Sequence, residues 1–333
     1  MKKLLYLMIF IFTICVFIDK TNIDFDLNFK QNEEVRDTSQ NEDVKAVVSL
    51  NDTNIKRYMK IKIGDTEESV ISKIGNPNRK DISEYGFDWY VYNNVKNNFA
   101  MVGIKNQKVV ALFSNSIDSS DINGIKLGDS IDFTRENHKS IEYKKKGNTK
   151  FMIDSRDQFD IFIEDNKYIT VFYDLYNESK VTSYQVIDKY TEESSKDIYP
   201  KYSEELKISF EKQTIDLINS VRDRENLNRL SFDSKASVSA LKHSEDMRDK
   251  NYFDHENKKG QSPFDRMKKE HIRYSLAGEN IAAGQINAIY AHEALMNSIG
   301  HRKNILGDYK NIGVGVSFGG HYKLYYTQNF FSE

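Results

Sequence analysis

Ile312-Gly313-Val314-Gly315-Val316-Ser317-Phe318 runs into a Gly319-Gly320-His321 turn and then into Tyr322-Lys323-Leu324-Tyr325-Tyr326-Thr327-Gln328-Asn329-Phe330-Phe331. Branched and aromatic side chains take every second position of the first run, and glycine or serine takes the positions between. Such a strand buries one face and leaves the other flat enough for a close neighbour. The stretch predicts an antiparallel hairpin flanked by helices.

Working back from the hairpin, the sequence supplies those helices. Ser203 reads as an N-cap, after which Phe210, Thr214, Leu217, Ile218 and Val221 recur at helical spacing. A second helix is predicted over Ser234–Lys250, where Ala236, Ala240, Leu241, Ser244 and Met247 share one face whose small residues allow close packing. Ser262-Pro263-Phe264-Asp265 combines a capping serine, proline at the first helical position and an acid at the third, so a short helix starts there. Another covers Ala288 to Asn297. Residues 203–333 thus form one α+β unit.

Upstream, Ile61-Lys62-Ile63-Gly64-Asp65 recurs as Ile125-Lys126-Leu127-Gly128-Asp129, and each copy leads to apolar runs broken by a short polar turn. These runs, FAMVGI with VVALF and FDIFIE with YITVFY, predict two related β-hairpins in a duplicated, β-rich domain over 55–188. Trp89, Tyr90 and Tyr92 read as core residues of a strand. The stretch 189–202, with its TEESSKD run and Pro200, reads as a linker. Residues 19–54 are polar, poor in aromatics and without periodicity, the composition of a disordered stalk.

The chain opens with Lys2, Lys3 and an apolar run from Leu4 to Ile18, then returns to charge at Asp19 and Lys20. That pattern is a signal peptide or membrane anchor over 1–18. The lack of a small-x-small cleavage site favours the uncleaved anchor, with the rest of the chain outside the cytoplasm. The 48 basic and 50 acidic residues are interspersed, with no basic stripe, which argues against nucleic acid as a partner. The single cysteine, Cys15, lies in the apolar run, so the folded part has neither disulfide nor thiolate nucleophile.

Six of the seven histidines, all but His138, fall between residues 243 and 321. His292-Glu293 begins like a zinc-protease helix, but Met296 stands where the second ligand belongs, so the pair reads as a solvated helix face. No G-x-S-x-G nucleophile elbow occurs. Six segments stand in an order that resembles bacterial CAP domains, the superfamily of cysteine-rich secretory proteins, antigen five and pathogenesis-related proteins. They are Tyr252-Phe253-Asp254-His255, Ser262-Pro263-Phe264-Asp265-Arg266, Gly278-Glu279-Asn280-Ile281-Ala282, Ser298–Leu306, Ile312-Gly313-Val314-Gly315 and Tyr326-Thr327-Gln328-Asn329-Phe330. The duplicated region is similar to the amino-terminal domain that accompanies CAP domains in some Gram-positive surface proteins.

The resemblance implies an α-β-α sandwich with a concave cleft holding two histidines and two acids, which can grip a divalent metal such as zinc between the imidazoles. On the matching motifs the first histidine is His255 and the first acid is Glu279. The second acid aligns near Ser298, and the histidine expected before Tyr-Thr-Gln is replaced by Tyr325. His301, in the Ser-x-Gly-His-Arg segment, is the natural third polar group. The expected cleft therefore comprises His255, Glu279, His301, Ser298, Asn280 and Tyr325, with His255 and His301 as the metal-ligating pair and Asn280, Arg302, Asn304 and Gln328 bracing the surrounding backbone. His243 reads as a packed helix residue. Half a tetrad without a nucleophile favours a binding module for a small ligand, a lipid or a cell-wall component. A metal-assisted peptidase is the alternative.

Overall fold

The computed structural model describes residues 60–116 and 121–333, together with the backbone of two short strands, β1 (Leu4–Tyr6) and β2 (Ile18–Lys20). The rest of the expected anchor and the stalk lie outside the described residues. Among the described residues no helix is long and apolar enough to cross a membrane.

The two repeats fold alike. Gly64 and Gly128 take φ values of 92° and 91°, open to glycine and strained for other residues. Asp65 and Asp129 accept from the backbone of Lys62 and Lys126 at 3.1 and 2.7 Å. Thr66 and Ser130 then cap α1 (Glu67–Ile74) and α2 (Ile131–Asn137). The glycine amides donate to Val109 and Val181, tying each turn to the sheet.

That sheet has seven antiparallel strands in the order β3 (Arg79–Ile82), β4 (Asp88–Tyr92), β5 (Ala100–Lys105), β6 (Lys108–Ser114), β11 (Lys180–Asp188), β10 (Lys167–Asp174) and β9 (Phe159–Glu164). Both expected hairpins form, turning at Asn106-Gln107 and Asp165-Asn166, where φ is positive at all four residues. Two-residue hairpin turns need that geometry to match strand twist. The two hairpins are not, however, equivalent members of the duplication. The repeated glycine turns bond to β6 and β11, so β5–β6 corresponds to β10–β11, and the copies meet where β6 pairs with β11. A separate hairpin, β7 (Tyr143–Lys146) and β8 (Thr149–Met152), pairs through β8 with β1. Trp89 and Tyr90 are buried as expected, and Phe87 meets the Trp89 ring edge-on at 4.8 Å.

The polar stretch expected to be a linker begins with a helix, α3 (Lys189–Ser194). Its Glu192 is buried and pairs with Lys144 at 3.2 Å and Lys146 at 2.7 Å. Burial alone would raise the Glu192 carboxyl, but the two lysines outweigh it and hold it at about 2. Read as composition, TEESSKD is solvent-loving; in the fold its first acid, Glu192, pairs with two buried lysines.

The second unit is a three-layer sandwich. Its sheet runs β12 (Ser231–Phe232), β14 (Asn311–Phe318), β15 (Leu324–Ser332), β13 (Leu276–Ala283) and β2. One face carries α5 (Ser234–Lys250) and α6 (Pro263–Lys269); α4 (Glu204–Arg224), α7 (Ala288–Met296) and α8 (Ile299–Ile305) lie towards the other. The glycines of β14 explain the closeness of α5: a Cβ on Gly313 would lie 2.1 Å from the Ala236 carbonyl carbon, and one on Gly315 2.0 Å from the Leu241 nitrogen. Val314 and Val316 point the other way, into a core shared with Phe210 and Leu217 of α4. Each fully buried side chain of this size contributes roughly 1.5–3 kcal/mol. Ser262 and Asp265 form the expected reciprocal capping box.

The two units share a continuous core. Tyr290 of α7 packs edge-on against Phe159 and Phe172 of the seven-stranded sheet, at 5.3 and 5.1 Å. Around it, Arg79 reaches Asp216 at 2.5 Å, Ser220 donates to Asn115 at 2.6 Å, and Arg302 grips Asp174 with two bonds of 2.8 and 2.9 Å.

Candidate functional site

The site grows from β13 and the loops beside it. Glu279 lies opposite Asn329 of β15, so its side chain projects to the α5 face, and Asn280, opposite Gln328, projects to the α8 face. The loop after α5 starts at Asn251, a left-handed cap with φ of 52°. It then brings His255 over Glu279, with Nδ1 2.9 Å from Oε1. Arg266 fastens this arrangement: one guanidinium nitrogen donates to the His255 and Gln261 carbonyls at 2.7 and 2.9 Å, the other to Glu279 Oε2 at 2.6 Å. His243 completes the ring of side chains around Glu279, its Nε2 3.0 Å from the Asp254 carbonyl and 3.9 Å from Glu279 Oε1. All four side chains are buried.

These contacts fix the charges. Burial would raise the Glu279 carboxyl, but the Arg266 guanidinium, followed by His243 and His255, holds it at about 2. Burial pushes His243 down to about 4 despite the pull of Glu279. His301 is lowered to about 4 by burial and then by the charge of His255. Near neutral pH the site presents neutral His243 and His301 beside the Arg266–Glu279 ion pair.

Ser298 stands at the N-cap of α8 but makes no cap bond; its hydroxyl lies 2.8 Å from His301 Nδ1 and orients that ring. His301 Nε2 is buried and makes no hydrogen bond among the described residues. Asn280 donates to the His301 carbonyl and to Gln328, while Asn304 donates to Asn280 and to the Glu279 carbonyl, a web that ties α8 to β13. Three of the four expected braces thus surround the site. Arg302 is the exception, turning away to Asp174 of the first unit.

Two expectations need correction. Tyr325 does not join the group: it pairs with Ala283, four residues along β13 from Glu279 and so about 13 Å away, among Met247, Tyr252 and Ile281. His292-Glu293 is not a solvated face, because α7 is sandwiched between the units. His292 is fully buried, with neither ring nitrogen hydrogen-bonded among the described residues. Burial drives His292 down to about 3 and raises Glu293 to about 7, the latter partly offset by the Ser183 hydroxyl at 2.6 Å.

The residues missed from sequence are Arg266 and His243. Arg266 was visible only as the last letter of Ser-Pro-Phe-Asp-Arg. His243 sits eleven residues before Asp254 and about two helical turns from the end of α5, and only the fold reveals that approach.

For a resident zinc the donor set falls short. His255 and His301 are ligands of the right type, but no three His, Cys, Asp or Glu side chains gather with metal-binding geometry among the described residues. Zinc sites use three or four protein ligands, and both oxygens of Glu279 are already engaged.

A duplicated β-domain joined to an α-β-α sandwich, with histidines and a glutamate at strand β13, defines a CAP-type two-unit protein. The chain belongs to the cysteine-rich secretory protein family: that family's model matches residues 215–330, and the CAP-associated N-terminal model matches 63–199. It is 34% identical over 295 residues to the uncharacterized membrane protein YlbC of Bacillus subtilis (strain 168), covering 80% of this chain and 82% of that protein. It is 44% identical over 126 residues to YkwD of the same organism, covering 38% of this chain and 48% of that protein. Among solved structures, an extracellular protein containing a SCP domain from Bacillus anthracis str. Ames superposes with a TM-score of 0.70 at 24% identity, over 92% of this chain and all of that one. A cysteine-rich secretory protein of Staphylococcus aureus subsp. aureus Mu50 gives 0.66 at 17% identity, over 81% and 91%. These two likenesses speak for the fold.

Proposed function

We propose that the chain acts outside the cytoplasm, held at the cell surface by its amino terminus, as a binding module whose His255–Glu279–His301 hollow takes a small polar ligand or the end of a cell-wall component. One observation carries this reading: the only carboxylate among the expected cleft residues is spent. Glu279 has both oxygens committed to His255 and Arg266, and a carboxyl held at about 2 is a poor proton donor at neutral pH. What is left is hydrogen-bonding capacity, chiefly the His301 imidazole, whose Nε2 is open to a ligand hydroxyl or amide. The localisation rests on the charged-then-apolar opening of the chain and on relatives described as membrane or extracellular proteins.

A second reading, a peptidase, has the Ser298–His301 contact in its favour, since a serine oxygen 2.8 Å from an imidazole is how an activated nucleophile begins. It lacks the third group that would orient the base, because no partner meets His301 Nε2 among the described residues. The test is capture of muropeptide, peptide and lipid libraries by the immobilised full chain, compared with a His255→Gln, His301→Ala variant. That variant spares the buried Arg266–Glu279 pair, so it should fold and lose capture. Undiminished capture would move the site elsewhere, and Ser298-dependent or zinc-dependent turnover of the same libraries would establish the peptidase.

A further inference from the structure

A second polar cavity, of about 510 Å³, opens where the two units meet, walled by Arg224 and Glu225 of α4, Arg302 of α8, and Asp174, Lys180 and Thr182 of the seven-stranded domain. Its cations are not alike. Arg302 is neutralised by Asp174, and Lys180 by Glu178 at 2.7 Å. Arg224 has no carboxylate within ion-pair distance among the described residues; its bonds go to the Asn115 and Thr182 carbonyls and the Thr182 hydroxyl, at 2.9–3.0 Å. Burial pulls its guanidinium below the ordinary value, by more than the Glu293, Glu225 and Asp174 carboxylates beyond ion-pair distance raise it.

Arg222, two residues earlier in α4, shows the contrast. It too lacks a carboxylate partner, but its guanidinium is enclosed by the carbonyls of Asn228, Ile305, Gly307 and Tyr309 and lines no cavity, which is a structural role. A guanidinium has five N–H donors. Arg224 spends three on neutral oxygens, so Nε and one Nη2 hydrogen remain beside the cavity. A fork of that kind is matched by an oxyanion.

We propose that this interdomain cavity is a binding site for a singly charged oxyanion, a carboxylate or a phosphodiester, seated on the free edge of Arg224. The single charge follows from the pairing: Arg224 is the one cation of the wall left without a carboxylate. Glu225 and Asp174 in the same wall disfavour a doubly charged group and accept from hydroxyls or amines flanking the anion. The site is separate from the His255–Glu279–His301 hollow and does not depend on the function assigned to it.

The experiment is an NMR titration of arginine side-chain Nε–H signals in the full chain, with dimethyl phosphate in one arm and acetate in the other, at ionic strength held constant with chloride. A saturable shift of Arg224, with Arg222 unmoved, is expected in at least one arm, and the arm that saturates identifies the oxyanion. Since Arg224→Gln would also break contacts between the units, two variants on the cavity wall test the charge argument. Glu225→Gln should tighten binding and Lys180→Gln weaken it, each about threefold, the scale of one partly exposed charge. Absence of saturation in both arms, or affinities unchanged by both variants, would overturn the proposal.

Discussion

At the scale of single residues, Glu279 and Arg266 dominate. Removing either leaves its partner as a buried unpaired charge, which costs roughly 3–5 kcal/mol, so Glu279→Ala and Arg266→Ala should each lower the urea midpoint sharply. His255→Gln, which keeps a hydrogen-bonding group over Glu279, should cost far less. His292 presents the opposite case: a buried imidazole with no hydrogen bond among the described residues, so His292→Leu is expected to be neutral or stabilising by about 1 kcal/mol. The same residues set the acid limb. His243, His301 and His292 have folded values of about 4, 4 and 3, below the unfolded value near 6.5. Each contributes stability that is complete above pH 6.5 and is lost as pH falls through the folded value. Glu293, raised to about 7, has the reverse sign: its contribution is complete below its unfolded value and fades as pH rises towards 7. Three groups outweigh one, and thermal midpoints should fall steadily from pH 6.5 to 4. A flat profile across that range would contradict the burial of these imidazoles.

At the scale of elements, the α5–β14 contact is the most demanding. Because a Cβ on Gly315 would meet the Leu241 backbone at 2.0 Å, Gly315→Ala must displace a helix and should cost at least the 1–3 kcal/mol typical of overpacking, read from denaturant unfolding. This contact was legible in advance, since alternation of glycine with valine states which face is flat. The helix starts at Ser203 and Ser262 were legible for the same reason: capping is local chemistry. The hairpins were legible as elements and misaligned as repeats, because equivalence within the duplication is set by which strand receives the glycine amide, a contact between distant segments. Of the site, His255, Glu279 and His301 could be named from motifs, whereas Arg266 and His243 required the loop to be folded back on α5. Tyr325 was misplaced because strand register, not sequence order, fixes its distance from Glu279.

At the scale of the whole molecule, the two units are joined by a shared core and by polar contacts that reach the site itself. Asn297 bonds both the Leu175 amide and the Tyr173 carbonyl, the Tyr176 hydroxyl accepts from the Ile299 amide, and Asp174 holds Arg302 beside His301. Calorimetry of the full chain should therefore show one unfolding transition, and Asp174→Ala should lower its midpoint; two separated transitions would mean the units are only loosely attached. The His292-Glu293 pair of α7 hid part of this union in the sequence, for it read as a solvated face until the partner surface was in place.

The central claim is that His255 and His301 share one hollow over Glu279. Histidine-selective NMR titration of the full chain, with and without His255→Gln, tests it most directly. The account predicts a His301 imidazole that titrates near 4 and moves upward when the charge of His255 is removed; a His301 that titrates near 6.5, or is indifferent to the substitution, would contradict it.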